Sequence, residues 1–259
     1  MPEVVIATPR GVHLSGTFTP PTLEPPSGLA VVFAHGFLGE RSSRGRNDRL
    51  AAAYREAGHA TLTFDFSGCG SSDDDVVTVA HEVEDLHAAI GHVVQAGFGL
   101  VVLHGHSLGS LVCLRTHSAH VVAMVLTGAI TGPINHPWRE VLGPDHWTEL
   151  LRTGRTRVLD DGPTAREHNV ISTQTLADFS DVGQAALLGA VTCPVLLVHG
   201  GALVDGEENE LLTRSRVGLP LLPEGSRLEI VRGADHALMQ DTENVAQWAL
   251  DWLARTLAL

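Results

Sequence analysis

The sequence is poor in cysteine, in basic residues and in long apolar runs. Its three cysteines, Cys69, Cys113 and Cys193, are too few and too scattered for a disulfide framework, so reduced thiols are expected. Only 17 Lys and Arg stand against 30 Asp and Glu, and the net charge of −13 argues against binding to a nucleic-acid backbone. No apolar run approaches the roughly 20 residues that span a bilayer.

The N-terminus lacks the charged-then-apolar order of a secretion signal, because residues 1–10 include the acidic Glu3. A cytoplasmic protein that binds neither membrane nor nucleic acid is therefore expected. The excess of acidic residues is read as a device for solubility. Aromatic residues make up 5% of the chain, which is too few to argue for a particular ligand.

Apolar runs and helical patterns alternate through most of the chain. Residues 4–7 and 13–18 flank a Pro-Arg-Gly turn and predict a hairpin, and a Pro-rich loop follows at 20–28. Strands are then predicted at 29–34, 60–66, 100–103 and 121–126, and helices at 50–57, 78–94 and 108–116. This order predicts an α/β protein with a mostly parallel sheet that is flanked by helices.

The alternation breaks at residues 131–190, where Pro, Gly, Trp and His occur without a clean period. It resumes with strands at 194–198 and 227–231 and with a final helix that places Val245, Trp248, Ala249 and Trp252 on one face. The predicted organisation is a core of residues 1–130 and 191–259. Residues 131–190 form a cap inserted after the sixth strand, expected to be a lid over the site.

The segment Gly105-His106-Ser107-Leu108-Gly109 follows a predicted strand and opens a predicted helix. This is the context that a G-x-S-x-G nucleophile turn requires. The turn is so tight that side chains at 105 and 109 would collide with neighbouring backbone. Ser107 is therefore predicted to be a nucleophile with its hydroxyl exposed at a strained tip.

A second loop follows the first core strand and reads His35-Gly36-Phe37. In proteins with such a serine turn, one backbone N–H of this loop and the N–H after the nucleophile form the oxyanion hole. The predicted donors are the amides of Phe37 and Leu108. By itself, His35-Gly36 would be better explained as a simple chain turn.

His236 follows the last predicted strand, at the carboxyl edge of the sheet where open parallel sheets gather their sites. Its place late in the chain, after the serine, makes it the predicted general base. The acid should come just after strand 194–198, where Asp205 is the first carboxylate. Glu207 and Glu208 remain alternatives, since either could instead begin the next helix.

The histidines do not form a metal motif, because neither H-E-x-x-H nor H-x-x-x-H occurs. His104 and His106 would point to opposite faces if their strand continues. A dinucleotide-binding or phosphate-binding glycine loop is also missing from the expected places. We therefore expect neither a metal nor a cofactor.

Together these segments resemble the α/β-hydrolase-fold serine esterases, most closely the cinnamoyl and feruloyl esterase-like group and its serine aminopeptidase-like relatives. The resemblance is carried by residues 35–39, 64–72, 105–109 and 232–236, and it fades in the cap. It implies a triad of Ser107, Asp205 and His236, an oxyanion hole and no cofactor. The sequence departs from the family pattern where Leu203 stands at the usual place of the acid, so Asp205 needs a longer loop.

The expected function is hydrolysis of a carboxylic ester, or a related acyl bond, of a small molecule through an acyl-enzyme on Ser107. A lactonase, thioesterase, amidase or biosynthetic acyltransferase would share the same residues. A non-catalytic ligand-binding protein on the same fold is a further alternative, which the displaced acid favours. In the cap, His136, Trp138 and Trp147 are candidates for the wall of the substrate pocket, or simply seal the cap onto the core.

Overall fold

The computed structural model describes residues 2–23 and 27–258. Within these ranges the strands are β1 (Glu3–Ala7), β2 (His13–Thr19), β3 (Leu29–Ala34), β4 (Ala60–Phe64), β5 (Val76–Val77), β6 (Leu100–His106), β7 (Val121–Thr127), β8 (Arg155–Leu159), β9 (His168–Ser172), β10 (Val195–Gly200) and β11 (Arg227–Val231). The helices are α1 (Arg46–Glu56), α2 (Val79–Gln95), α3 (Leu108–Arg115), α4 (Trp138–Thr153), α5 (Thr173–Ser180), α6 (Gln184–Gly189), α7 (Glu210–Gly218) and α8 (Thr242–Thr256). The predicted loop 20–28 lies partly outside the described residues.

The main sheet has eight strands in the order β1-β2-β4-β3-β6-β7-β10-β11. The predicted hairpin of β1 and β2 forms one antiparallel edge, and β2 joins β4 in the antiparallel sense. Every other neighbouring pair is parallel. The predicted mostly parallel sheet is therefore confirmed, and it brings the carboxyl ends of β3, β6, β7, β10 and β11 to one edge.

Helices cover both faces of this sheet, and each face has its own apolar core. All residues of β3, β4 and β10 are buried, which explains the continuous apolar run of β3. One core includes Leu86 of α2 and Leu111 of α3. The other includes Leu50 of α1 and Trp252 of α8. Burying a side chain of this size contributes about 1.5–3 kcal/mol.

Helix α1 begins at Arg46, four residues before the predicted start. Its first turn contains Arg46 and Asn47, which are buried although they are polar. A pattern of apolar residues cannot reveal a turn of this kind. Similarly, β6 continues to His106, beyond the predicted end at residue 103, and so runs directly into the serine turn.

Residues 131–190 contribute no strand to the main sheet. They hold α4, β8, β9, α5 and α6, and β9 joins β8 and the short β5 of the core in a second, three-stranded sheet. Helix α4 is interrupted at Gly143, which has φ 76°, and Pro144 follows it. This interruption explains why the sequence of the segment shows no clean helical period. That the segment acts as a lid stays a prediction.

The three cysteines are buried and are not joined by disulfides. Across residues 2–23 and 27–258, no helix has the length and apolar character needed to cross a membrane.

Candidate active site

Ser107 occupies the single residue between the end of β6 and the start of α3. Its backbone has φ 51° and ψ −121°, a conformation that costs a non-glycine residue of the order of 1–3 kcal/mol. The turn is held by the Ser107 amide, which donates to the carbonyl of Thr127 at 3.0 Å. The side chain thus stands at the N-terminus of α3, whose dipole favours negative charge at the serine oxygen.

The glycines of this turn are required by space. A Cβ on Gly105 would lie 2.8 Å from the carbonyl oxygen of Gly109 and 2.9 Å from the Sγ of Cys113. A Cβ on Gly109 would overlap the carbonyl oxygens of Ala34 and His35. Helix α3 can therefore pack against the end of β6 only because Gly105 lacks a side chain, and it can approach the end of β3 only because Gly109 does.

This close approach brings the loop after β3 beside the nucleophile. A Cβ on Gly36 would lie 3.4 Å from the Cβ of Ser107. The buried ring of His35 anchors the loop, because its Nε2 accepts the amide N–H of Phe66 at 3.0 Å. Its Nδ1 therefore carries the proton and donates to the carbonyl of Gly36 at 2.9 Å. Burial lowers the pKa of His35, which keeps this arrangement neutral.

The two predicted oxyanion donors are available at this turn. Leu108 is the first residue of α3, so its N–H has no partner within the helix. In the described part of the chain, the amide of Phe37 also makes no hydrogen bond. Two free N–H groups therefore belong to the residues that follow Ser107 and Gly36.

His236 lies in the loop after β11 and faces the same cavity as Ser107. This cavity has a volume of about 430 Å³. The imidazole packs on Gly128, where a Cβ would lie 2.6 Å from Cε1 and 2.8 Å from Nδ1 of His236. The ring of His106 lies 5.1 Å away, centroid to centroid. The side chains of Ser107 and His236 share the cavity without a hydrogen bond between them.

The surroundings of His236 favour the neutral imidazole. Burial is the largest influence and lowers its pKa, and the nearby charge of Arg46 lowers it further. Asp235 acts in the opposite direction, but its carboxylate accepts the amide N–H of Leu238. A neutral imidazole is the form that can accept a proton from a serine.

The structure does not bring Asp205 to His236. Asp205 is exposed, has φ 52° and is not part of the cavity wall. Glu207 and Glu208 do line the cavity, and both precede α7, which begins at Glu210. The carboxylate of Glu208 already accepts hydrogen bonds from Thr213 and Arg216. Among the described residues, no carboxylate is hydrogen-bonded to His236.

The cap candidates have different positions relative to the cavity. His136 lines it, together with Phe179 of α5. Trp138 stacks edge-on against Phe37 at 6.0 Å and against Phe179 at 5.1 Å, so it supports the wall from behind. Trp147 is not part of the wall; it is partly buried and packs against the small apolar cluster of Leu150, Ile171 and Leu176.

Two other histidines near the site, His104 and His199, are buried and make hydrogen bonds within the core. His104 contacts the hydroxyl of Tyr54 at 3.0 Å, and His199 contacts that of Ser215 at 2.9 Å. Burial lowers the pKa of each to about 3, so both are neutral. Where the structure describes the chain, no three His, Cys, Asp or Glu side chains are grouped so that they could hold a metal ion.

The residues that sequence reasoning missed include Phe179 in the cavity wall, and Arg46 and Gly128 beside His236. Arg46 donates to the carbonyl of Ala237, which is 191 positions away, so no local pattern could reveal the contact. Gly128 comes directly after β7 and has φ 53°. A glycine at the carboxyl end of a sheet strand is the only signal that the sequence offered for it.

A model of the Alpha/beta hydrolase family matches residues 31–248. The chain belongs to this family. The match includes the loop after β3, the serine turn and His236. No curated protein matches the chain in sequence.

Solved structures of this hydrolase fold resemble the chain over its whole length. DcsB, solved with its substrate analogue, is 17% identical with a TM-score of 0.79, over 100% of this chain and 99% of its own. GrgF from Penicillium sp. sh18 is 19% identical with a TM-score of 0.76, over 100% and 99%. Est1E from Butyrivibrio proteoclasticus, solved with ferulic acid bound, is 18% identical with a TM-score of 0.75, over 99% and 100%. At these identities the likeness shows the fold alone.

Proposed function

We propose that this hydrolase-family protein is a serine hydrolase that cleaves a carboxylic ester, or a related acyl bond, of a small molecule. One observation carries the proposal. Ser107 stands in a strained turn at the start of α3, and it shares a cavity of about 430 Å³ with His236. Strain of this kind at a residue that faces a cavity is typical of a functional site.

In the proposed reaction, Ser107 attacks the acyl carbonyl while His236 takes the hydroxyl proton. The amides of Phe37 and Leu108 stabilise the oxyanion, an effect worth about 3–4 kcal/mol for one donor in comparable sites. His236 then returns the proton to the leaving oxygen, and an acyl-enzyme remains. Water attacks this ester and gives a proton to His236, which passes that proton to the Ser107 oxygen as the acid leaves. No step requires a cofactor.

The acid partner of His236 is the open part of the proposal. Asp205 has the expected place in the chain, but the loop at 201–209 must rearrange before its carboxylate can reach the imidazole. Glu207 already lines the cavity, and Glu208 does so while bound to Arg216. All three carboxylates are therefore kept as candidates and are tested individually.

The aromatic wall supports a flat acyl group as the substrate. His136 and Phe179 line the cavity, and their rings are 5.3 Å apart. Est1E, which shares the fold, binds ferulic acid. We propose an aryl or cinnamoyl-type ester as the first substrate to examine. Lactones, thioesters, amides and acyl acceptors other than water belong in the same panel, because they need the same nucleophile.

Labelling with a fluorophosphonate probe, followed by peptide mass mapping, tests the nucleophile without a known substrate. The wild type should be labelled at Ser107, and Ser107→Ala should not react. The variants Asp205→Asn, Glu207→Gln and Glu208→Gln then identify the acid, because its loss should slow labelling most. An unreactive wild type that binds a small ligand tightly would instead establish the non-catalytic alternative.

A further inference from the structure

Arg46, the first residue of α1, is a buried cation that has no counter-ion among the described residues. Its side chain is 4% exposed. Its Nη1 donates to the carbonyl oxygen of Ala237 at 2.8 Å, directly beside His236 in sequence. Its Nε is buried without a partner, and in the described part of the chain no carboxylate forms an ion pair with it.

This arrangement is costly for the fold. An unpaired buried charge is strongly unfavourable, and burial lowers the pKa of Arg46 to about 10. A single hydrogen bond to a main-chain carbonyl could be made by a neutral side chain. Tying down the loop therefore does not explain why a cation stands at this position.

The charge acts on the candidate base. Arg46 lowers the pKa of His236, and it also acts on His104 and His106 of β6. The titratable groups that face His236 from the elements packed around it are Arg46 on α1, His106 on β6, His199 on β10, His136 before α4, Glu207 and Glu208 before α7, and Asp235 in its own loop. Arg46 is the buried permanent charge in this set.

We propose that Arg46 is a positioning residue for His236. Its guanidinium holds the main chain at Ala237, and its charge keeps the imidazole in the neutral form that accepts a proton. The inference rests on the proposed function, because it assigns His236 the part of the base. In this arrangement, Arg46 and the packing on Gly128 fix the position of the ring, and stabilisation of the imidazolium is left to one of the candidate carboxylates.

The charge determines the direction of the pH effect. A cation beside an imidazole disfavours protonation, so His236 stays neutral to a lower pH than it would without Arg46. Removal of the charge should therefore move the acid limb of the reaction to higher pH. Loss of the bond to Ala237 should also slow the reaction at every pH, since a small displacement of the base can cost about a hundredfold.

Two measurements on the full chain test this. The first is the rate of fluorophosphonate labelling of Ser107 against pH. The second is the NMR titration of the imidazole Cε1–H of His236, which is assigned with His236→Gln and needs no activity. Arg46→Met removes charge and donor, Arg46→Gln removes the charge but keeps a donor, and Arg46→Lys keeps both.

Arg49 provides the matched control. It lies on the same helix and donates to the carbonyl of Met239 in the loop that follows His236, but it is exposed. Arg49→Met should leave both pH profiles unchanged. Arg46→Met and Arg46→Gln should move the titration of His236 upward, and Arg46→Lys should leave it near the wild-type value.

If the titration of His236 does not move in Arg46→Met or Arg46→Gln, or moves equally in Arg49→Met, the inference is wrong. If Arg46→Met does not fold, the comparison of Arg46→Gln with Arg46→Lys decides in its place. Failure of the wild type to label would overturn the proposed function, whereas the NMR titration would still report whether Arg46 controls the imidazole.

Discussion

The imidazole of His236 packs directly on the backbone of Gly128, and it can do so only because Gly128 has no side chain. The Cα of Gly128 lies against the edge of the ring that carries Nδ1 and Cε1. The residue also has φ 53°, which disfavours any L side chain. Its amide donates to the carbonyl of Val198 at 2.9 Å, so the backbone at this point is fixed to β10. The ring therefore packs on a rigid surface.

We expect Gly128→Ala to damage the site more than the fold. The new methyl would lie less than 3 Å from the ring, so His236 must move, and labelling of Ser107 should fall about a hundredfold. The measurement is the labelling rate beside a urea unfolding curve. Gly91→Ala in α2 is the control, because a Cβ there meets open space and should stabilise the helix by about 0.5–1 kcal/mol. Labelling of Gly128→Ala at the wild-type rate would contradict the packing argument.

At the scale of single residues, the sequence predicts a functional residue only where the residues next to it in the chain form a recognisable pattern. Ser107 is marked by the glycines on either side of it, and the structure supplies the steric reason for both. His236 is marked by its place after the last strand. Arg46 acts on a residue that is far away in sequence, so its burial and its contact could not be predicted. The partner of His236 likewise depends on the shape of the loop at 201–209, which no pattern in the sequence specifies.

At the scale of elements, burial decides what could be predicted. Strand β3 has the predicted bounds, 29–34, because both of its faces are covered and every residue is apolar. The helices of the insertion bury less. The only buried residue of α4 is Leu150, so its pattern is weak, and the break at Gly143 shifts the phase of the pattern between its halves. In strand β8 the buried residue is Thr156 and its neighbours are exposed arginines, so the sequence lacks the apolar alternation that predicts a strand.

Besides the pairing of β9 with β5, a single arginine makes several of the contacts between the β8–β9 hairpin and the core. Arg166 lies between the two strands, and its side chain is 9% exposed. It donates to the main-chain carbonyls of Gly70 and Ser72 and forms an ion pair with Asp74. These contacts join the insertion to the loop after β4.

Replacement of Arg166 by Met should loosen this joint. The carbonyl of Ser72 would lose its donor and that of Gly70 would keep only the hydroxyl of Thr164 at 3.4 Å, so the free energy of unfolding should fall by about 1–3 kcal/mol in urea titrations. Arg157→Met serves as the comparison, since Arg157 is exposed and surface changes of this kind stay within about 0.5 kcal/mol. Equal effects of the two substitutions would show that Arg166 does not anchor the hairpin.

At the scale of the whole molecule, the candidate site exists only when the sheet is complete. Ser107, the loop at 35–37, Gly128 and His236 come from separate parts of the chain. They meet because parallel strands present their carboxyl ends at one edge. The far side of the cavity is formed by residues of the insertion, among them Phe179. The cavity thus lies between residues of the core and residues of the insertion.

The insertion has little apolar packing of its own. Its cluster contains the buried residues Leu150, Ile171 and Leu176, whereas each face of the main sheet buries a much larger set. Phe37 and Leu38 of the core pack against this small cluster. A segment with few buried contacts opens at a lower free energy than the core does. Opening of the insertion would therefore expose the side chain of Phe37, whose amide is a candidate oxyanion donor.

Hydrogen exchange followed by mass spectrometry should show this difference. Amides of α4 should exchange about a hundredfold or more faster than those of β3 and β6, because they open without global unfolding. Formation of the fluorophosphonate adduct on Ser107 should slow exchange in α4, since a group that fills the cavity contacts Phe179 and His136 and favours the closed arrangement. Ser107→Ala treated with the same probe is the control and should show no slowing. Protection of α4 equal to that of β3 would mean that the insertion and the core open as one unit, and residues 131–190 would then be a fixed wall of the cavity instead of a lid.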